Sequence, residues 1–248
     1  AYMAKDRHYM DFLLEQKARG RIRHIGFSSH GKPETLEKFL NWSDAFEFVQ
    51  IQLNYLDWTM QNAKRQYEII TEHGLPVWVM EPVRGGRLAS LGERYDAMLK
   101  QARPDWSVPA WAFHWLMGLS GVTMILSGMT TMEQIRDNAA TFQKEEVLTP
   151  EQNMLLTNVA ASYQSHLAVP CTACRYCCGG CPEHIDIPRW MNLYNELHLT
   201  HDKVTWERAM EGAVNPAACI GCGQCASHCP QSIDVPGYLQ KLASWPVR

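Results

Sequence analysis

The feature that most constrains this chain is a cysteine spacing that occurs twice. The first run reads Cys171-x2-Cys174-x2-Cys177-x3-Cys181-Pro182, and the second reads Cys219-x2-Cys222-x2-Cys225-x3-Cys229-Pro230. Both lie in an internal repeat offset by 48 residues, which continues past the thiols: Ile185, Asp186 and Pro188 match Ile233, Asp234 and Pro236. Three thiolates at this spacing wrap one corner of a cubane iron–sulfur cluster, and the fourth, directed away by the following proline, reaches a second cluster. On that logic one [4Fe–4S] cluster takes Cys171, Cys174, Cys177 and Cys229, and the other takes Cys219, Cys222, Cys225 and Cys181. Zinc is the competing reading, since CxxC pairs build tetrahedral sites of four ligands. Three linked thiols followed by x3-Cys-Pro, present twice, are poorly explained that way. Cys178 is the odd thiol: it either displaces Cys177 or stays free beside the cluster, and the spacing favours Cys177 as the ligand.

The surroundings of the thiols agree with metal ligation. All nine cysteines fall between Cys171 and Cys229, and the first 170 residues contain none. The start, AYMAKDRHYM, has neither an apolar signal core nor an initiator methionine, so we expect a cytoplasmic protein and a chain that is a fragment. No apolar run approaches the ~20 residues a spanning helix needs. A formal charge of −3 argues against nucleic acid as a partner, because phosphate binding needs clustered Lys and Arg. In each repeat the Ile-Asp-[Ile/Val]-Pro element is expected to open a helix, with the aspartate at its positive end and proline in its first turn. The first of these helices is predicted through Trp190–Leu199, which makes residues 171–248 a small, mainly α-helical dicluster ferredoxin domain.

Residues 1–149 follow another rule. Four short apolar runs read as buried parallel strands: Ile22–Ser28, Phe48–Tyr55, Pro76–Glu81 and Val122–Gly128. Helical patterns separate or follow them at Pro33–Leu40, Met60–His73, Ser107–Leu119 and Met132–Phe142. Such alternation implies βα units and a parallel sheet, and four units are half of a (β/α)8 barrel. The expected fold is therefore the α/β C-terminal half of a TIM barrel, with a linker helix over 150–170 and the ferredoxin domain behind it. Four strands cannot close a barrel. The other half is expected upstream of Ala1, and residues 1–149 alone are expected to misfold or dissolve poorly.

Several segments resemble the aldo/keto reductase family. GRIRHIGFSSHG (Gly20–Gly31) is similar to its fifth strand, VQIQLNYLD (Val49–Asp57) to its sixth, GLPVWVMEPVRGGRL (Gly74–Leu88) to its seventh, and VTMILSGMTTMEQIRDN (Val122–Asn138) to its eighth with the dinucleotide loop. The CTACRYCCGGCPEHIDIP segment resembles the tail of a bacterial subgroup carrying a ferredoxin-type domain. The resemblance implies NADP or NAD bound at the C-terminal mouth of the barrel. Ser28 and Gln50 would meet the nicotinamide carboxamide, and Gly85 and Gly86 the pyrophosphate. Ser127, Gly128 and Met129 would line the adenine end, where Gln134 and Asn138 match the residues nearest the base. Other readings stay open: Gln50 and Gln52 as polar residues of a barrel layer, Gly85-Gly86 as a plain turn, Asn138 as a helix cap. No Lys or Arg stands in Met129-Thr130-Thr131-Met132, so the choice of nicotinamide is open too. The family's Asp, Tyr, Lys and His catalytic constellation belongs to strands that would precede Ala1, and no catalytic residue can be nominated here.

The implied protein is an iron–sulfur oxidoreductase that joins a nicotinamide-binding barrel to two [4Fe–4S] clusters for electron transfer. Its partners would be the nicotinamide, a small carbonyl or other redox substrate, and an electron-transfer protein. A non-catalytic redox sensor or electron-carrier subunit is the alternative, and a structural staple the third reading.

Overall fold

The computed structural model describes residues 3, 8–144, 146–200, 206–207 and 210–245, and the chain divides into two compact units, Ala1–Ala160 and Ala161–Arg248. In the first unit four parallel strands lie in chain order: β1 (Gly26–Ser29), β2 (Phe48–Gln52), β3 (Val77–Met80) and β4 (Val122–Ile125). The register sets Ser28 beside Gln50, Gln50 beside Trp78, and Trp78 beside Met124. Strand side chains alternate between faces, so Val49, Ile51, Val77 and Val79 all turn to the other side. There they form a buried core with Leu36, Leu40, Ile69, Ile70 and Leu116 from the helices. The first face, with Gln50, Gln52 and Trp78, is only half-buried, and Met124 stands 43% exposed on it.

The connecting helices are α1 (Tyr9–Ala18), α2 (Pro33–Leu40), α3 (Asp57–Met60), α4 (Ala63–Glu72), α5 (Glu93–Ala102), α6 (Val108–Met117) and α7 (Met132–Phe142). Pro33 opens α2, and Ser107 caps α6 by accepting the Ala110 amide at 3.2 Å. Thr131 and Gln134 form a reciprocal capping box at the start of α7. The expected helix over Met60–His73 is broken, because Asn62 adopts a left-handed backbone (φ 53°) that ends α3 and restarts the chain as α4. The expected strand from Ile22 begins only at Gly26. The Glu47 carboxylate, which also holds Lys17 and His24, takes the Ile25 amide at 3.1 Å, so that donor is not free for a ladder. Helices α1 and α5 lacked a clear apolar stripe and were not legible beforehand. Helix α1 leaves Tyr9, Phe12 and Leu14 exposed.

Helix α8 (Pro150–Ser165) crosses the division of the chain, and the second unit contains no strand among the described residues. Its framework is α9 (Ile187–Thr200), the one-turn α10 (Gln224–Ser227) and α11 (Val235–Ala243). Trp190, Met191, Leu193, Leu197, Val235 and Leu239 pack into one core, with Tyr194 edge-on to Tyr238 at 4.9 Å. Asn195 both accepts the Val169 amide at 2.7 Å and donates to the Val169 carbonyl at 2.8 Å, which ties the segment entering the first cysteine run to α9. Asp234 caps α11 through the Gly237 amide, as expected of the repeat element. Its counterpart Asp186 instead pairs with Arg175 at 3.1 Å. No helix among the described residues is long and apolar enough to cross a membrane.

Candidate functional site

Because all four strands run the same way, their C-terminal ends meet along one edge of the sheet, where parallel α/β folds present their ligand-binding groups. Ser28 and Gln50 stand side by side there in register. The Gln50 side-chain amide donates to the Met80 sulfur at 3.6 Å, and the Gln52 amide to Asp57 at 2.7 Å. Both glutamines face the side of the sheet that the helices leave uncovered, so the barrel-layer reading and the ligand reading share one geometry. Gly85 and Gly86 lie exposed on the turn after β3, with φ of 62° and 90°. Beyond β4, Asn138 donates to Ser127 at 3.1 Å, while Gln134 accepts the Thr130 amide at 2.8 Å. Gly128 and the 41% exposed Met129 continue that loop.

Behind this edge sits a buried polar network that sequence reasoning missed. Asp57, fully buried at the start of α3, accepts from Gln52, from Asn54 at 2.7 Å and from the buried Arg84 guanidinium at 3.0 Å. Asn54 also donates to the Glu81 carbonyl at 3.0 Å, and its side-chain oxygen accepts the Asp57 amide at 2.8 Å. Glu81 (φ 59°) and Arg84 (φ 52°) hold left-handed conformations that fold the chain tightly back before Gly85. Burial pushes the Glu81 carboxyl above its usual range, Asp57 adds to that rise, and the Gly85 amide and Arg84 oppose it. The network thus fixes the glycine turn through Arg84. Asp57 and Arg84 are 27 residues apart, and neither carries a local motif.

The second unit gathers eight of its cysteines around two cavities. One cavity of about 330 Å3, counting its open part, is lined by Cys171, Cys174, Cys177 and Cys229 together with Ile187, Ile233 and Val235. A second, of about 320 Å3, is lined by Cys181, Cys219, Cys222 and Cys225 with Ile185, Ile187 and Leu239. Each holds three thiols of one run and the last thiol of the other. Cys178 lines neither cavity but lies against Cys177. The runs take left-handed steps at Ala173, Arg175, Gly221 and Gly223, and the Ala173 amide donates to Cys171 Sγ at 3.4 Å. Burial, reinforced by the neighbouring Cys178, pushes the Cys177 thiol up, and burial does the same at Cys225. Four thiols spread round an apolar cavity suit a cubane. Among the described residues no three His, Cys, Asp or Glu side chains are placed to hold a single metal ion. Soft thiolates in this number fit iron–sulfur chemistry.

Comparison with known proteins agrees with both halves. Residues 4–161 match the model of the aldo/keto reductase family. The chain belongs to the aldo/keto reductase family. Residues 170–233 match a 4Fe-4S dicluster domain. The NADH-specific methylglyoxal reductase of Escherichia coli (strain K12) is 27% identical over 154 residues, which cover 52% of this chain and 46% of that protein. The apo form of an aldo-keto reductase from Bacillus halodurans superposes with a TM-score of 0.51 at 21% identity, covering 62% of this chain and 57% of that one. The chain thus spans about half the length of the curated relative it matches. The sheet is the parallel α/β sheet of an aldo/keto reductase barrel, and the helical C-terminal region is the ferredoxin-type domain.

Proposed function

We propose that this aldo/keto reductase is an iron–sulfur oxidoreductase that binds NAD(P)H along the strand ends of β1–β4 and two [4Fe–4S] clusters in its C-terminal unit. The observation that carries the reading is the sorting of eight thiols into two cavities, each with three cysteines of one run and the fourth of the other. Cys171, Cys174, Cys177 and Cys229 would hold one cluster, and Cys181, Cys219, Cys222 and Cys225 the second. Such clusters supply one-electron chemistry. The chain's own residues orient the nicotinamide: Ser28 and Gln50 at the carboxamide, the Gly85-Gly86 turn at the pyrophosphate, and Ser127, Gly128, Met129, Gln134 and Asn138 at the adenine end. A hydride carries two electrons and each cluster takes one, so coupling the two would need a group that splits the pair, such as a flavin or a radical-capable substrate.

NADH is favoured over NADPH. No cation stands between Met129 and Met132 to meet a 2′-phosphate, and the curated relative is named NADH-specific. A small carbonyl compound fits the family's substrate class. The test is anaerobic purification followed by iron, sulfide and EPR analysis before and after each nicotinamide is added. We expect about eight irons per chain and signals that grow with NADH more than with NADPH. Eight irons that respond to dithionite but to neither nicotinamide would separate the two modules and favour an electron carrier or sensor.

A further inference from the structure

The two thiol cavities are built from matched positions of the repeat. The offset of 48 carries residues 171–177 onto 219–225 and Cys181 onto Cys229, and each matched pair of thiols has one member on each cavity. The apolar walls match as well: Pro188 and Met191 stand at the first cavity where Pro236 and Leu239 stand at the second. Three matched positions differ in chemistry. Thr172, Arg175 and Gln231 line the first cavity, and their counterparts Ile220, Gly223 and Glu183 line the second. The first wall therefore has a hydroxyl, a guanidinium and a carboxamide where the second has an alkyl group, no side chain and a carboxylate. Among the described residues Arg175 and Glu183 are the only charged side chains lining either cavity. Arg175 pairs with Asp186 at 3.1 Å, but Asp186 has its own counterpart in Asp234. Each run thus brings one such aspartate, and the arginine and the glutamate remain as the difference.

We propose that the site of Cys171, Cys174, Cys177 and Cys229 has the higher reduction potential of the two and holds the first electron. Reduction adds one negative charge to a cluster. A cation and hydrogen-bond donors at the rim stabilise that charge, and a carboxylate opposes it. All three differences between the walls act in the same sense. An electron placed on the second cluster passes to the first: the second is oxidised by one electron and the first is reduced by one. This rests on the reading that both sites hold clusters. Arg175 and Glu183 are positioning residues, since neither is a ligand and each acts on the electron through its field. The Arg175 side chain is 60% exposed, and at such a rim solvent screening leaves each unit charge worth roughly a tenfold change in a one-electron equilibrium.

The test is a potentiometric titration of the full, anaerobically loaded chain, poised with dithionite and redox mediators and read by EPR, in the parent, Arg175→Gln and Glu183→Gln. Two equal sites also titrate in two steps, because the first electron repels the second. The variants, and not the separation of the steps, therefore decide the question. We expect Arg175→Gln to move the upper step down by about tenfold, which is about 59 mV for one electron, and to leave the lower step within about twofold. Glu183→Gln should move the lower step up by about the same factor and leave the upper step in place. The reverse pattern, with Arg175→Gln moving only the lower step, overturns the proposal, and so do steps that stay fixed in both variants. Iron and sulfide are measured first in each protein; if one variant loads poorly the other decides alone, because each is assigned to a different step. A parent chain that takes up no iron and sulfide overturns the cluster reading itself, and the order of potentials with it.

Discussion

At the residue scale the Asp57–Arg84 pair is the most consequential contact in the barrel unit. Both side chains are buried, and the carboxylate is satisfied by Gln52 and Asn54 as well as by the guanidinium. Removing one partner of such a pair strands a charge and typically costs about 3–5 kcal/mol, whereas replacing both by apolar groups is close to neutral. We expect Arg84→Met to lower the urea midpoint of the chain steeply, and Arg84→Met with Asp57→Leu to recover most of the loss. Glu81 responds to pH in a definite direction. Its carboxyl is held above the usual range, chiefly by burial, so the folded state favours the protonated form. That contribution is complete below the ordinary carboxylate value of about 4.3 and is lost as pH rises through the higher folded value. Glu81→Gln keeps an acceptor for the Gly85 amide and removes the ionisation. Denaturant midpoints of variant and parent should coincide near pH 4 and separate in favour of the variant near pH 8.

At the element scale the cysteine runs depend on left-handed steps. Gly221 holds φ of 70° with nothing within 4 Å of an added Cβ, so Gly221→Ala would meet no clash and only the conformational penalty, about 1–2 kcal/mol. The first run carries that penalty already at Ala173 and Arg175, and Arg175 sets its ion pair with Asp186 against it. We expect Gly221→Ala to speed iron loss to a chelator and Ala173→Gly to slow it, which iron-release kinetics would show. A different constraint governs β1. A Cβ on Gly26 would lie 2.5 Å from the Phe48 ring, which stacks on Trp78 at 3.8 Å, so the uncovered face of the sheet is filled by aromatic rings where the strand has no side chain.

At the scale of the molecule, the first unit ends on both sides in apolar surface. A groove of about 1350 Å3, counting its open part, borders β1 and is lined by Tyr9, Phe12, Phe27, Phe39, Trp42 and Phe46. Another, of about 920 Å3, borders β4 and is lined by Met117, Val122, Met124, Ile125 and Phe142. Apolar faces this large beside unpaired strand edges favour association. Residues 1–149 produced alone should self-associate and bind a hydrophobic dye. A monomeric species with a cooperative melt in analytical ultracentrifugation and calorimetry would contradict the half-barrel reading.

What could be read beforehand was local or periodic. The strand–helix alternation was legible because parallel strands are short apolar runs between helical patterns, and Pro33, Ser107 and Thr131 mark helix starts by rules that act within one turn. The two four-thiol sets were legible because cluster ligation depends on spacing along the chain, and the cavities sort the thiols as the spacing implies. Other features depended on distant parts of the chain. Asp57 meets Arg84 only because adjacent parallel strands bring the ends of β2 and β3 together, and Asn62 breaks a helix whose pattern reads as continuous. The unequal exposure of Thr172 (2%) and Ile220 (64%), at the same place in the two runs, is invisible in a repeat whose spacing is identical. Spacing and periodicity are properties of neighbours in sequence, whereas solvent exposure and the partner of a buried charge are set by whichever segments the fold packs against them.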